Sequence, residues 1–227
     1  MKNLTIFLIF IPFISFAQSS DCDNYSNFGD ITICLPELVD MTECYSDPLV
    51  KITADMFKGT VDEEIIGVYL FDEIYESRYE SFFEDGIGDS FIKIYSTNIL
   101  KNKKANTQAL DFMSSYMQGA FENFHQSKLK SNIEANFNDL DLSISFEKPI
   151  MLEEYQLSTK IRSFIILLKY VTDVEDFIQV ASLNMMLIKD RLIFFAFYDK
   201  YKGFSEIEKT KEMSDYFALR FLKENSK

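Results

Sequence analysis

The spacing of apolar and polar residues changes period several times along the chain, and each change predicts an element. Ile31, Ile33 and Leu35 alternate with Thr32 and Cys34 before Pro36, the pattern of a short half-buried strand stopped by proline. Residues 49–53 predict a second strand. The β-rich stretch 64–74 predicts a third, and 91–95 a fourth, entered through the turn-forming Asp85, Gly86, Ile87, Gly88 and Asp89. Between 106 and 127 the period lengthens: Leu110, Met113, Tyr116, Met117, Ala120, Phe121 and Phe124 recur at three and four residues, the stripe of an amphipathic helix that Asn106 caps. Alternation returns at 140–146. Three long apolar runs follow at 161–171, 177–188 and 192–198, and their short connectors, including a tight turn at Lys189 and Asp190, predict an antiparallel meander. A last helix is predicted from Ser205, with Ser205 and Glu208 as a capping box and Ile207, Met213, Tyr216, Phe217 and Phe221 on one side.

Strands, one long helix, more strands and a terminal helix, without a repeating strand-helix alternation, predict an α+β fold. The expected architecture is a mostly antiparallel sheet of about six to seven strands flanked by the long central helix and the C-terminal helix. Residues 30–227 are expected to form a single domain, because seven glycines, four prolines and no repeat leave no linker to divide it. With 23 Phe and 12 Tyr, and 47% hydrophobic residues, the chain has ample material for a core, which excludes disorder over most of its length.

The first residues change the picture from a domain to an exported domain. Lys2 is followed by an apolar stretch from Leu4 to Phe16, and Ser15, Phe16 and Ala17 fit the small-any-small pattern of a signal peptidase site. Residues 1–17 are therefore expected to be a signal peptide and 18–29 a polar, flexible lead-in. The apolar stretch is short of the roughly 20 residues a membrane span needs. Lipid attachment is not expected, because Ser19, Ser20 and Asp21 separate Cys22 from the apolar stretch. No later run is long enough to span a membrane. The expected location is periplasmic or extracellular.

The formal charge of −13 becomes −14 when Lys2 leaves with the signal. Such a surface repels phosphate backbones and anionic lipid heads, so nucleic acid is not an expected partner. The densest basic stretch, Lys101 to Lys104 with three lysines, reads as a solvated lead into the long helix. Cys22, Cys34 and Cys44 allow three pairings, and one disulfide plus one spare thiol is the expected arithmetic for an exported chain. The preferred bridge is Cys34 to Cys44, because 36–43 can fold back on the first strand while Cys22 lies in the lead-in. Their spacings do not match a zinc site, and no histidine is near.

The stretches ITICLPE at 31–37, EEIIGVYLF at 63–71 and LNMMLIKDRLIFFAFYDKYKGFSEIEKTKEMSDYFALRFLKEN at 183–225 give an order of elements that resembles the PsbP-like proteins. The resemblance covers about 30–225 and implies an α-β-α sandwich. Most members of that family are non-enzymatic binding, assembly or accessory proteins, so the resemblance implies a binding role without naming a ligand.

Catalytic constellations are sparse. Histidine-assisted nucleophiles depend on a single histidine, His125, and no Gly-x-Ser-x-Gly elbow accompanies it. Near a predicted helix C-terminus, His125 reads as a dipole-stabilising surface residue. Glu122 and His125 form one Glu-x-x-His, whereas a di-iron bundle needs two with further glutamates. Asp72, Glu73, Glu76, Glu80, Glu84 and Asp85 supply carboxylates for acid-base work, although in a chain with 36 acids such a run is more often a solvated face. Asp85 and Asp89 lack the alternating ligands of a calcium loop. No glycine-rich loop precedes a helix to cradle phosphate. The aromatic groups Tyr116, Phe121 and Phe124, and Phe194, Phe195, Phe197 and Tyr198, could line a ligand pocket, but core packing accounts for most of them.

The expected function is that of an exported binding or accessory domain, with no cofactor and no metal, acting by contact with an envelope or extracellular partner. A carboxylate-dependent hydrolase and a purely structural partner-stabilising protein are the alternatives. Carboxylates with raised pKa converging in one pocket would favour the hydrolase.

Overall fold

The computed structural model describes residues 22–56, 58–81, 90–123, 144–172 and 176–226. Among them, ten strands and four α-helices build the expected α+β fold. A two-stranded hairpin of β1 (Tyr25–Phe28) and β2 (Ile31–Cys34) stands apart from the main sheet. The main sheet holds β3 (Met41–Glu43), β4 (Glu63–Phe71), β5 (Ser90–Thr97), β6 (Ile144–Phe146), β7 (Ile150–Ser158), β8 (Ile161–Thr172), β9 (Asp176–Ile188) and β10 (Arg191–Lys200). Its order is β3-β4-β5-β10-β9-β8, with β6 and β7 sharing the last position against the two ends of β8. Every pairing is antiparallel. The helices are α1 (Pro48–Met56), α2 (Asp72–Ser81), α3 (Thr107–Glu122) and α4 (Phe204–Glu224).

The strands bury both faces because alternate side chains point to opposite sides of the pleat. On one face, Ile193, Phe195 and Phe197 of β10 meet Phe217, Ala218 and Phe221 of α4, and the β1-β2 hairpin adds Phe28 and Ile33. On the other, Phe164, Ile166, Ala181, Met185, Leu187 and Leu192 lie under Leu110 of α3. Val50 and Ala54 of α1 cover Ile65, Val68 and Leu70 of β4 on that same face. The molecule is thus layered helix, sheet, helix. No helix among the described residues is long and apolar enough to cross a membrane.

The meander β8-β9-β10 and its turn follow the predicted pattern, with Lys189 and Asp190 at φ 47° and 58°. Asn106 caps α3 as predicted, its side chain accepting from the Ala109 amide at 3.0 Å. The described part of α3 ends at Glu122, and Phe124, His125, Glu84, Asp85, Asp89 and the signal region 1–17 lie outside the described residues.

Several expectations are corrected. Residues 49–53 are helical, because Pro48 presets the first turn and the Asp47 carboxylate accepts from the Leu49 and Val50 amides. The predicted strand 64–74 stops at Phe71, where Asp72 and Glu73 open the first turn of α2. The lead-in contains β1, which Gly29, at φ 63°, turns into β2. A Cβ on Gly29 would come within 2.4 Å of the Lys101 carbonyl oxygen, so glycine is required there. Helix α4 begins at Phe204 with Gly203 as its cap, and Ser205 donates to Glu206 instead of forming a box with Glu208.

The expected disulfide Cys34–Cys44 is also corrected: Cys22 bonds Cys34, and Cys44 is a free, buried cysteine. The hairpin explains the change. Tyr25 pairs with Cys34 across β1-β2, which carries Cys22 back to Cys34, while Cys44 points into the core beneath α1.

Candidate functional site

The aromatic residues of the face covered by α1 and α3 are arranged around one lysine. In β5, Phe91, Lys93 and Tyr95 point to this face. In β10, Phe194, Ala196 and Tyr198 oppose them in register. Phe91 stacks on Tyr198 with centroids 4.6 Å apart, and Tyr95 stacks on Phe194 at 5.5 Å. Lys93 and Ala196 lie between the two stacks. Ala196 is fully buried and Lys93 nearly so, so the ground between the stacks is covered and the flanking rings form a partly exposed aromatic patch. A third stack, Tyr170 on Phe177 at 4.7 Å, lies farther along the same face on β8 and β9. All six rings keep part of their surface exposed.

The Lys93 ammonium is buried and donates to Glu63 at 2.8 Å, and it lies 4.7 Å from the Tyr95 ring centroid. Glu63 is itself buried and accepts from the Gly59 amide at 3.0 Å. A buried charge is tolerated when it is paired and hydrogen-bonded, and both conditions hold here. Burial pushes the Tyr95 phenol well above its ordinary range, with the charges of Tyr198 and Glu63 adding to the effect. Burial does the same to Tyr198 and Tyr170. These phenols stay protonated at any working pH and serve as neutral ring surface.

The predicted candidates are dispersed. Asp72, Glu73 and Glu76 are exposed along α2, with Asp72 accepting from Thr42 at 2.7 Å, which is the solvated-face reading. Lys101 is bound by Glu64 at 2.6 Å and is no docking patch. Phe195 and Phe197 are core residues of the α4 face, as the core reading expects, and Phe121 packs on Phe164 under α3. Tyr116 is largely exposed on α3. Among the described residues, no group of three or more His, Cys, Asp or Glu side chains could hold a metal ion.

Carboxylates with raised pKa exist but do not meet. Burial raises Glu43 on β3, against two amide hydrogen bonds from Tyr45 and Val68 that lower it. Burial also raises Asp215 on α4, which accepts from the Tyr155 hydroxyl of β7 at 2.7 Å. Strands β3 and β7 are the opposite edges of the sheet. At about 4.8 Å per strand, the two carboxylates are held apart by most of the sheet's width. The Cys44 thiol donates to the Val68 carbonyl at 3.4 Å, and burial raises its pKa to about 12, so it carries no thiolate. A half-open depression of about 300 Å³ at the end of β8, β9 and β10 contains Lys169 and Asp176, with Lys169 held by Glu147 at 2.6 Å.

No family model, no curated protein and no solved structure matches the chain. The function of the aromatic patch is therefore argued from its own residues. Lys93, Glu63, Tyr95, Tyr170 and Phe177 are not among the candidates that the sequence pattern offers. The signal for Lys93 was present: in SFIKIYST an ionisable residue occupies the same parity as two aromatics, so either all three face solvent or the lysine is buried with them.

Proposed function

We propose that the protein is an exported binding or accessory domain that engages an envelope or extracellular partner through the partly exposed aromatic patch around Lys93. The observation that carries this reading is the pair of stacks flanking Lys93 and Ala196, four partly exposed rings held in register by two adjacent strands. Rigid aromatic surface with a hydrogen-bonded charge at its centre is the composition of a binding hot spot. Export is supported by the apolar start of the chain and by the Cys22–Cys34 bridge, a bond that persists in oxidising compartments. Binding is favoured over carboxylate hydrolysis because the two carboxylates with raised pKa belong to opposite edges of the sheet. The PsbP-like relationship belongs to the same proposal, supported by helices on both faces of an antiparallel sheet. Given the net charge of −13, the partner's contact surface is neutral or basic.

The test compares the wild-type chain with a Tyr95→Ala, Tyr198→Ala variant as baits for affinity capture from the native envelope, with mass spectrometry of what is retained. The expected partner stays on the wild type, is lost from a variant that still melts cooperatively, and elutes as salt rises past about 0.1 M, where the Debye length is ~10 Å. Equal capture by both baits would remove the aromatic patch from the proposal. Turnover of a substrate, abolished by changing one acid without loss of fold, would overturn the binding reading.

A further inference from the structure

The disulfide and the end of the C-terminal helix converge on one residue. Asn225, the residue closing α4, is 3% exposed and turns its side chain onto the backbone of Cys34. Its Oδ1 accepts from the Cys34 amide at 2.8 Å, and its Nδ2 donates to the Cys34 carbonyl at 2.9 Å and to the Phe221 carbonyl at 2.9 Å. The amide thus acts as a one-residue strand partner, closing a contact between positions 191 apart in sequence. Cys34 is at the same time the last residue of β2 and is bonded to Cys22. Phe28 and Ile33 of the hairpin share one apolar cluster with Phe217 and Phe221 of α4.

We propose that the Cys22–Cys34 bridge and the Asn225 clasp form a redox-sensitive latch, in which reduction of the bridge loosens the C-terminal turn of α4 from the hairpin. The bridge fixes Cys34 in the conformation that offers both backbone groups to Asn225. Without it, the Cys34 end of β2 is held to β1 only by the backbone ladder, while Ile33 and the Lys189 bond to Thr32 anchor the strand one and two residues earlier. The linkage is reciprocal: whatever factor the bridge contributes to clasp closure, the clasp contributes to bridge formation.

The reductant is a dithiol. Cys22 is the more exposed residue of the bridge, and Cys34 is 5% exposed, so the incoming thiolate attacks the Cys22 sulfur. The S–S bond breaks, Cys34 leaves as a thiolate and takes up a proton, and the second thiol of the reductant displaces Cys22 as the reductant closes to its own disulfide. Two electrons and two protons pass from the dithiol to the protein. The third cysteine does not intervene, because Cys44 is buried as a thiol under α1 and offers no thiolate for exchange.

Hydrogen exchange of the full chain, oxidised and after dithiothreitol, tests the latch. The expected result is about tenfold faster exchange at residues 221–226 as well as in the hairpin on reduction, with α3 unchanged, the size lost with a pair of buried hydrogen bonds. Faster exchange confined to 22–34, or an equal rise throughout the chain, overturns it. The reciprocal arm uses Asn225→Ala, or Asn225→Asp if the alanine variant does not fold, since aspartate keeps the acceptor and loses the donor. Half-reduction is expected at an about tenfold lower ratio of reduced to oxidised dithiothreitol, and an unchanged ratio overturns the coupling.

Discussion

On β10, Phe195 and Phe197 are 1% and 0% exposed, whereas Phe194 and Tyr198, each one residue away on the same strand, keep part of their rings at the surface. The two faces of the sheet thus have the same composition and different finish. The α4 face is closed by a helix of 21 residues and the disulfide hairpin. Its polar groups are also largely settled among themselves. Asn184 accepts from Ser163 at 2.6 Å and donates to Ser214 at 2.9 Å, and Ser214 donates to Ser182 at 2.7 Å, all buried. Among the described residues, Thr210 Oγ1 is the one buried side-chain oxygen there with no partner. On the α1 and α3 face, rings are stacked in pairs but incompletely covered, and a buried lysine is bound by a glutamate. A closed face with an internal polar network specifies the fold, and an incompletely covered aromatic face is material for contact.

Truncating one ring on each face measures this difference directly. Phe217 is 1% exposed and touches Tyr69, Phe195 and Phe221 at centroid distances of 5.4, 4.5 and 5.9 Å. Phe217→Ala is expected to destabilise by about 3–5 kcal/mol, the cost of a large core cavity. Phe194→Ala, at a partly exposed ring that stacks on Tyr95, is expected to cost less, about 1.5–3 kcal/mol. Equal costs in urea unfolding would mean that the faces are equally packed and would remove the contrast.

The buried ion pair sharpens the comparison. Removing one partner of such a pair strands the other charge, so Lys93→Met alone and Glu63→Gln alone are each expected to lose about 3 kcal/mol. The double substitution Lys93→Met, Glu63→Leu is expected to return to within about 1 kcal/mol of the wild type, since no buried charge is left unmatched. With Glu63→Leu also made alone, a double-mutant cycle by denaturant unfolding measures this. Additive losses would show that Lys93 and Glu63 are not coupled, and the aromatic patch would lose its central feature.

Periodicity carried most of the fold and little of the site, for physical reasons. The long strands β8, β9 and β10 and the α3 stripe are long enough for period 2 and period 3.6 to separate cleanly. Residues 49–53 were misread because five apolar-rich residues fit either period, and only the Asp47 cap and Pro48 break the tie. The hairpin strand β1 hid in polar residues, because its ladder needs backbone groups and only Phe28 buries a side chain. The cysteine pairing depended on that hidden hairpin. Lys93 and Tyr95 could be assigned to a strand but not to a face, since which side is covered is decided by helices distant in sequence.

The smallest effect is at the turn where the two faces are tied together. Lys189 donates to the Thr32 carbonyl of β2 at 2.8 Å, and the Asp190 carbonyl accepts from Ala105, just before α3, at 2.8 Å. Both turn residues have positive φ, the geometry of a two-residue hairpin that Asn-Gly serves best. Neither is glycine, so the contacts on either side hold a backbone that costs of order 1 kcal/mol or more per residue. Asp190→Gly removes one such cost, keeps the carbonyl that Ala105 uses and leaves Lys189 on Thr32. Gly loses more chain entropy on folding, by roughly 0.5–1 kcal/mol, so the net gain is expected to be small, about 0.5 kcal/mol. Lys189→Asn relieves the other position but gives up the bond to Thr32, and is expected to be neutral or slightly destabilising. Thermal unfolding of the two variants separates the contributions. Stabilisation by Asp190→Gly with none from Lys189→Asn shows that the lysine holds the closed face at the cost of its own backbone, and the reverse order would assign that work to the hairpin and α4.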